Sequence, residues 1–289
     1  MRTNSIRPAA VAGTWYPGTS GALARDVDGY LEAADAALPP GSLHAIIAPH
    51  AGLMFSGPVG AYAYKAAAVA GPFDAILLAG PSHFVAFDGI ALYPSGAFDS
   101  PLGPVAIDEP LAREIAESSP VIHVLPEAHR REHSLEMQLP FIRRVLPDVP
   151  IVPMLMGLQT RNTIEAFAAV LAAAAGGRRV LLVASTDLSH YFDARYARDL
   201  DRRVESCVAD NDPARLLEIF EQYPEGERGR YVACGGGPAI AVMMAARQLG
   251  ATDGRVLKYA HSGEVSGDYT GVVGYLAAAF GSFGGGRPA

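Results

Sequence analysis

The sequence predicts an α/β fold, a single domain in which helices flank a mostly parallel central sheet. Short apolar runs without charged residues recur along the 289-residue chain, as expected for strands that are buried on both faces. Stretches of helical length separate these runs, which is the alternation of a parallel sheet with crossover helices. Hydrophobic residues make up 50% of the chain, enough for the core of one large domain.

Three of the apolar runs end abruptly in turn-forming and polar residues. They are AIIAPHAG at residues 45–52, DAILLAGPSHF at 74–84 and VLLVASTDLSH at 180–190. Ligands of parallel sheets bind beyond the carboxyl ends of the strands. We therefore expect three histidines and an aspartate to converge on one site, namely His50, His83, Asp187 and His190.

The other elements follow in chain order from apolar periodicity and capping residues. Helices are expected at residues 20–38, 56–70, 108–118, 130–146 with a break near Pro140, 160–175, 194–209, 212–223 and 238–250. Further strands are expected at 121–125, 151–156, 255–259 and 271–278, with a β-ribbon or edge strands within 88–107. One domain then covers residues 1–280, and the glycine-rich residues 281–289 form a disordered tail.

The opening segment RPAAVAGTWYPG holds the only tryptophan, Trp15. Its proline and glycine content is too high for a regular element, so we expect an ordered arm whose aromatic side chains fill the edge of the domain. The alternative is that Trp15 stacks on a ligand.

Charge and composition exclude several classes of protein. The formal net charge is -7 and the basic residues are scattered, which argues against a nucleic-acid groove. No apolar stretch is long enough for a membrane span, and no secretory signal is recognisable, so a cytoplasmic location is expected. The two cysteines, Cys207 and Cys234, do not form a disulfide framework, as is usual in a reducing compartment.

His50 and His83 are the strongest candidates for metal ligands. A lone histidine is usually a core residue with one backbone partner, but here two follow strands in the same Pro, Gly and Ser surroundings. Neutral imidazole is the commonest metal-binding side chain. Metal ligation is therefore favoured for both.

Asp187 and His190 are spaced so that both can face the same crevice. Asp187 would orient an imidazole, as metal sites commonly require, or His190 would act as general acid or base beside the metal. The alternative is that Asp187 or Ser185 caps a helix and His190 is exposed.

Cys234 precedes three glycines at the expected start of a helix. The helix dipole and free amides lower a thiol pKa at such a position, which favours the thiolate that binds metal or attacks a substrate. A small buried residue at a glycine-rich turn is the alternative. Cys207 lies on an amphipathic helix and is assigned to the core.

The segment HRREHSLEMQLP offers a competing metal site. His129 and His133 are four residues apart, with Glu132 or Glu136 nearby, but the order of residues differs from the HExxH signature. A polar pocket wall or a charged helix face is the preferred interpretation. We expect Ser82, Glu132 and His133 to line the pocket.

Several motifs together resemble the Memo family, known in bacteria as AmmeMemoRadiSam system protein B. They are GTWYPG, AIIAPHAG with SGPVGAYAYK, LAGPSHF, EHSLEMQLPF, STDLSHY, ACGGGP and GYLAAAF, in order along nearly the whole chain. This family is similar in fold to class III extradiol ring-cleaving dioxygenases, which hold non-haem iron. The resemblance implies that His50, His83 and Cys234 bind the metal and that His190 is the acid and base, with cysteine in place of the dioxygenase glutamate.

The resemblance also implies a function and partners. We expect Fe(II), or alternatively copper, in a redox enzyme of the dioxygenase type, whose catalytic residues are His190 and Asp187. The alternatives are a non-catalytic module that binds a small anionic or peptide ligand in the same crevice, and metal-assisted hydrolysis. The bacterial name implies AMMECR-type and radical SAM partner proteins.

Overall fold

A computed structural model describes residues 6–38 and 40–284. The strands are β1 (Ile6–Arg7), β2 (Gly41–Ala48), β3 (Ala75–Pro81), β4 (Ile90–Leu92), β5 (Ala97–Phe98), β6 (Val105–Ala106), β7 (Ile122–Val124), β8 (Ile151–Met156), β9 (Val180–Ser185), β10 (His190–Phe192), β11 (Asp253–His261) and β12 (Val272–Phe283). The helices are α1 (Ser20–Ala33), α2 (Leu53–Ala70), α3 (Glu109–Ser118), α4 (Pro126–His129), α5 (Leu139–Val145), α6 (Arg161–Ala175), α7 (Ala194–Ala209), α8 (Pro213–Glu221), α9 (Arg228–Tyr231), α10 (Gly236–Gln248) and α11 (Gly263–Ser266).

Within the described chain, nine strands form one large sheet. Its order is β10-β12-β2-β9-β3-β8-β4-β7, and β11 pairs with β12. The four strands β2, β9, β3 and β8 are parallel, whereas β12 joins β2 and β4 joins β8 in the antiparallel sense. The predicted parallel sheet is thus confirmed at the centre, and antiparallel strands extend it on both sides.

Helices flank the sheet, as predicted. Helix α2 packs on β2 and β12 together with α1 and α5, while α10 packs on β9 and β3 together with α6 and α8. Strands β3, β8 and β9 are buried along their whole length because helices cover them. This explains why they are uninterrupted apolar runs in the sequence.

The order of the central strands determines where the candidate site lies. β9 lies between β2 and β3, and all three run in the same direction. Their carboxyl ends therefore meet at one edge of the sheet, where the chain continues into His50, His83 and Asp187.

The largest differences from the predicted bounds lie in three segments. Helix α1 ends at Ala33, because Ala34 is already extended, and not near Leu38. The segment 130–146 is not one helix: a turn and a short 3₁₀ helix precede α5, so Pro140 lies in the first turn of α5, where proline is tolerated. Strand β12 continues through Phe283, so residues 281–283 belong to the sheet and not to a disordered tail. Residues 285–289 of that predicted tail lie outside the described residues.

No helix in residues 6–38 and 40–284 is both long and apolar enough to span a membrane.

Candidate metal centre

The carboxyl ends of the central strands open into a cavity of about 450 Å³. The side chains that line it include the predicted His50, His83, His133, Asp187, His190 and Cys234, joined by Trp15, Tyr191 and Arg230. One potential ligand atom from each of His50, His83 and Cys234 lies within 4.8 Å of the other two. The structure therefore brings together the three residues predicted to bind a metal.

The protonation of His50 follows from its hydrogen bonds. Its Nδ1 lies 3.0 Å from the Ser185 hydroxyl, which itself donates to the Ser134 carbonyl O at 2.6 Å. Since the Ser185 proton is engaged there, the bond to His50 requires a proton on Nδ1. The other ring nitrogen, Nε2, faces Cys234 and lies 3.2 Å from its Sγ, within hydrogen-bond distance.

Gln138 holds this serine in place. Its Nε2 donates to the Ser185 hydroxyl at 2.8 Å and to the Pro49 carbonyl O at 3.0 Å, while its Oε1 accepts from the Tyr64 hydroxyl at 2.9 Å. All these groups are buried. The orientation of His50 is thus fixed by a network of which every member has a partner.

His83 is oriented by a carboxylate. Its Nδ1 lies 2.9 Å from Glu132 Oε1, and its backbone N–H donates to Glu132 Oε2 at 2.6 Å. Burial lowers the pKa of His83, but hydrogen bonds to Cys234 and Glu132 outweigh it and raise the pKa to about 10. Burial has the opposite effect on Glu132 and raises its pKa, but the hydrogen bonds and charge of His83 outweigh burial and hold the pKa of Glu132 well below its usual range. Glu132 was expected to line the pocket, but it is buried behind His83, as the carboxylate partner typical of metal-binding histidines.

Cys234 lies directly before α10, as predicted. Burial raises the pKa of its thiol, but His50 and His83 lower it to about 6, so the thiolate predominates at neutral pH. The neighbouring imidazoles cause this lowering, and the contribution of the helix dipole stays a prediction. The glycine that follows is required by close packing, since a Cβ at Gly235 would lie 2.5 Å from the Ser185 carbonyl O.

Asp187 is buried, and its hydrogen bonds differ from those of a residue that orients an imidazole, which was one of the expected roles. Its Oδ1 accepts from the backbone N–H groups of His50 at 2.7 Å and Ala51 at 3.3 Å, so it fixes the loop after β2 and does not orient an imidazole. Burial raises the pKa of its carboxyl group, an effect that His190 and these two N–H groups partly offset.

His190 lies in a short strand at the cavity, and no helix follows that Asp187 would cap. Its Nδ1 lies 2.7 Å from the Leu188 carbonyl O, which can only accept, so Nδ1 carries the proton. Nε2 is therefore the ring nitrogen at which His190 can exchange a proton with a ligand.

The remaining predicted pocket residues differ in position. His133 lines the cavity, with its ring centroid 4.6 Å from that of His83 and 4.3 Å from that of Trp15. Trp15 thus lines the cavity with 38% of its surface exposed, whereas we expected it to fill the domain edge. Ser82 was expected to line the pocket, but its hydroxyl donates to the Val85 carbonyl O at 2.8 Å and it is not among the lining residues.

The competing site at His129 and His133 does not form. Helix α4 ends at His129, whose Nε2 lies 3.0 Å from the Ala91 carbonyl O in the interior. Sequence reasoning missed Ser185, Gln138 and Arg230, whose roles depend on contacts between segments that are distant along the chain.

Comparisons with known proteins agree with the motifs. A model of the family described as "Memo-like protein" matches residues 7–279. Among similar curated proteins are MEMO1 family proteins of Methanopyrus kandleri, 36% identical over 95% of this chain and 98% of that protein, and of Methanothermobacter thermautotrophicus, 36% identical over 93% and 98%. A MEMO1 family protein of Nitrosopumilus maritimus is 31% identical over 95% of this chain and 99% of its own length.

Among solved structures, an uncharacterized protein of Escherichia coli K12 has a related fold. It superposes with a TM-score of 0.58, with 13% sequence identity, over 82% of this chain and 99% of its own. At this identity the likeness concerns the fold alone.

Proposed function

The chain belongs to the family of Memo-like proteins, and from this premise we propose that it binds one redox-active metal ion, Fe(II) or alternatively copper, through His50, His83 and Cys234. A thiolate with two imidazoles is a donor set that suits iron and copper. When bound, such a metal supplies electron exchange and open positions for a small ligand. We propose a dioxygenase-like oxidoreductase in which cysteine takes the place of a carboxylate ligand.

One observation carries this proposal: the orientation of the two imidazoles. Ser185 and Glu132 engage the Nδ1 atoms of His50 and His83, so Nε2 is in each ring the nitrogen left for a metal, and without a metal both rings hydrogen-bond to Cys234. A structural histidine pair does not need two separate partners that leave the same nitrogen for a metal. A metal site requires both these nitrogens and the partners that hold the rings.

His190 would exchange protons with a ligand in the cavity. Its Nδ1 is engaged with the Leu188 carbonyl O, so proton transfer would occur at Nε2. Asp187 would act indirectly, by holding the backbone of the loop that carries His50.

The test is elemental analysis of protein purified anaerobically and reconstituted with Fe(II), and separately with copper. We expect about one metal ion per chain in the parent and its loss in His50→Ala, His83→Ala and Cys234→Ala. The matched control is His123→Ala, since His123 is exposed and does not line the cavity. Circular dichroism verifies that each variant is folded. Full metal content in the three variants, or none in the parent, would contradict the proposal.

A second candidate is a binding module that uses the cavity without turnover. The partly exposed ring of Trp15 at the cavity favours it, because such a ring offers a face to a ligand. An oxygen-consumption screen with catechols and other aromatic compounds separates the two: consumption that requires His190 favours the enzyme. The cytoplasmic location and the AMMECR-type and radical SAM partners stay predictions.

A further inference from the structure

The cavity wall contains a cation that the metal site does not use. Of the lysines and arginines in the described residues, Arg230 is the one that lines the cavity. The same wall holds the buried side chain of Asp187 and the candidate metal ligands His50, His83 and Cys234. A guanidinium at this position is suited to bind an anionic group of a ligand.

Arg230 is not required to hold α9 in place, because the neighbouring Arg228 does so. Arg228 anchors α9, because its Nη1 donates to the Gln159 carbonyl O and its Nε to the Tyr223 carbonyl O, both at 3.2 Å. Arg230 instead lies over the ring of Phe192, with its Cζ 4.7 Å from the ring centroid. Its ion pair with Glu227 is 4.0 Å long and half exposed, and such pairs contribute little.

Tyr191 gives the same cavity an aromatic wall. His190 pairs with Val273 and Phe192 with Val272, so Tyr191 is the extra residue of a bulge in β10. Its φ of 62° lies in the left-handed region, which is unfavourable for a bulky side chain, and 70% of its surface is exposed. Bulges next to active sites commonly redirect a side chain. Here the strained backbone directs a tyrosine to the cavity, which Trp15 and Val273 also line.

We propose that the cavity takes a small organic acid, whose carboxylate pairs with Arg230 and whose apolar body lies against Trp15 and Tyr191. A singly charged group is favoured over a dianion, because a single guanidinium lines the cavity. This rests on the proposed function in that it names the ligand class of the same site. The role of Arg230 itself does not require the metal.

Trp15 makes the test direct, because it is the only tryptophan of the chain and it lines the cavity. Metal-free protein is titrated with benzoate and with benzamide, which has the same shape without the charge, followed by Trp15 emission and by calorimetry. We expect benzoate to bind the parent at least ~10-fold more tightly than benzamide. Arg230→Gln is expected to remove this difference by weakening benzoate alone. Arg215→Gln, at an exposed arginine outside the cavity, is expected to leave it unchanged.

Two results with the parent would overturn the inference: no benzoate binding at millimolar concentration, or equal binding of benzoate and benzamide. An equal effect of the two arginine variants on benzoate binding would also overturn it. So would Arg230-dependent binding of phenyl phosphate that is tighter than the binding of benzoate. The titration is repeated with Fe(II)-reconstituted parent and with His50→Ala. If benzoate binds only when metal is present and Arg230→Gln has no effect, the metal holds the carboxylate and Arg230 does not. Failure of metal binding leaves the metal-free titration valid, so the two proposals fail separately.

Discussion

His129 is a buried histidine that stays neutral. Its Nε2 lies 3.0 Å from the Ala91 carbonyl O, and its Nδ1 has no hydrogen-bond partner among the described residues. Protonation would place a second N–H, with a charge, in the interior without an acceptor. Burial, with a smaller contribution from Arg7, therefore lowers the pKa of His129 to about 3, against the 6.5 of an unperturbed histidine.

This pKa gives the unfolding free energy a pH dependence of known sign. Below pH 6.5 the unfolded chain binds a proton at His129 and the folded protein does not, so stability falls as the pH falls from 6.5 towards 3. Each pH unit below 6.5 lowers the free energy of unfolding by about 1.4 kcal/mol, which amounts to a loss of about 2 kcal/mol at pH 5. We expect His129→Gln, which keeps a donor for Ala91 and cannot titrate, to lose about 2 kcal/mol less than the parent between pH 7 and pH 5 in urea unfolding.

The control is His123→Gln, because His123 is exposed and its substitution should leave the pH dependence of the parent intact. If His129→Gln loses as much stability as the parent between the two pH values, His129 is not the group that titrates.

The single residues of the site show what a sequence can and cannot predict. His50 and His83 were predictable because each follows a recognisable strand, whereas the helix start at Cys234 left two interpretations open and only the resemblance to the Memo family favoured a metal ligand. The partner of His83 was not predictable, because Glu132 lies 49 positions away and nothing local marks the contact. Tyr191 carries no local signal either, since left-handed backbone usually predicts glycine or asparagine.

At the scale of elements, the N-terminal arm is fastened by one buried carboxylate. Glu136 accepts from Arg7 Nη1 at 2.5 Å, from the Tyr16 hydroxyl at 2.7 Å and from the backbone N–H groups of Ala10 and Val11 at 2.7 and 2.9 Å. Arg7 also donates to the carbonyl oxygens of His129 and Glu132. The arm that carries Trp15 is thereby joined to the segment that contains Glu132, the hydrogen-bond partner of His83.

Glu136→Gln is expected to lower the free energy of unfolding by roughly 3–5 kcal/mol. The glutamine has the same shape but leaves the buried charge of Arg7 without a counter-charge, and its amide N–H groups oppose the donors of the arm. Urea unfolding at pH 7 measures the loss, and Trp15 emission reports whether the arm has moved.

A matched control is Glu114→Gln, which breaks the exposed ion pair between Glu114 and Arg178. Exposed pairs contribute less than about 1 kcal/mol, so this variant should unfold almost as the parent does. A similarly small loss in Glu136→Gln would show that the carboxylate does not fasten the arm.

The strands were predicted better than the ends of the elements. The central strands follow from their apolar runs, and β8 has the predicted bounds, because burial on both faces leaves a clear pattern. The end of β12 was missed because its glycine-rich composition is typical of a tail. The structure gives a reason for one of those glycines: a Cβ at Gly281 would lie 2.0 Å from the Ser42 carbonyl O on β2.

At the scale of the whole molecule, the candidate metal site connects parts of the chain that are far apart in sequence. His50 follows β2, His83 follows β3 and Cys234 precedes α10, which packs on β9 between those strands. A metal bound to all three would therefore link the loops after two strands to a helix on the neighbouring strand. Such a site exists only in the folded chain, so metal binding must add to the stability of the fold.

Metal addition is therefore expected to raise the unfolding temperature of the parent. At a free metal concentration 100 times Kd, a ligand that binds only the folded state contributes about 2.7 kcal/mol, which corresponds to roughly 5 °C for a chain of this size. Calorimetry of metal-free protein, with and without Fe(II) under anaerobic conditions, measures the shift. We expect none in Cys234→Ala and the full shift in Cys207→Ala, because Cys207 is buried on α7 away from the cavity. An equal shift in Cys234→Ala would mean that the metal binds elsewhere on the protein.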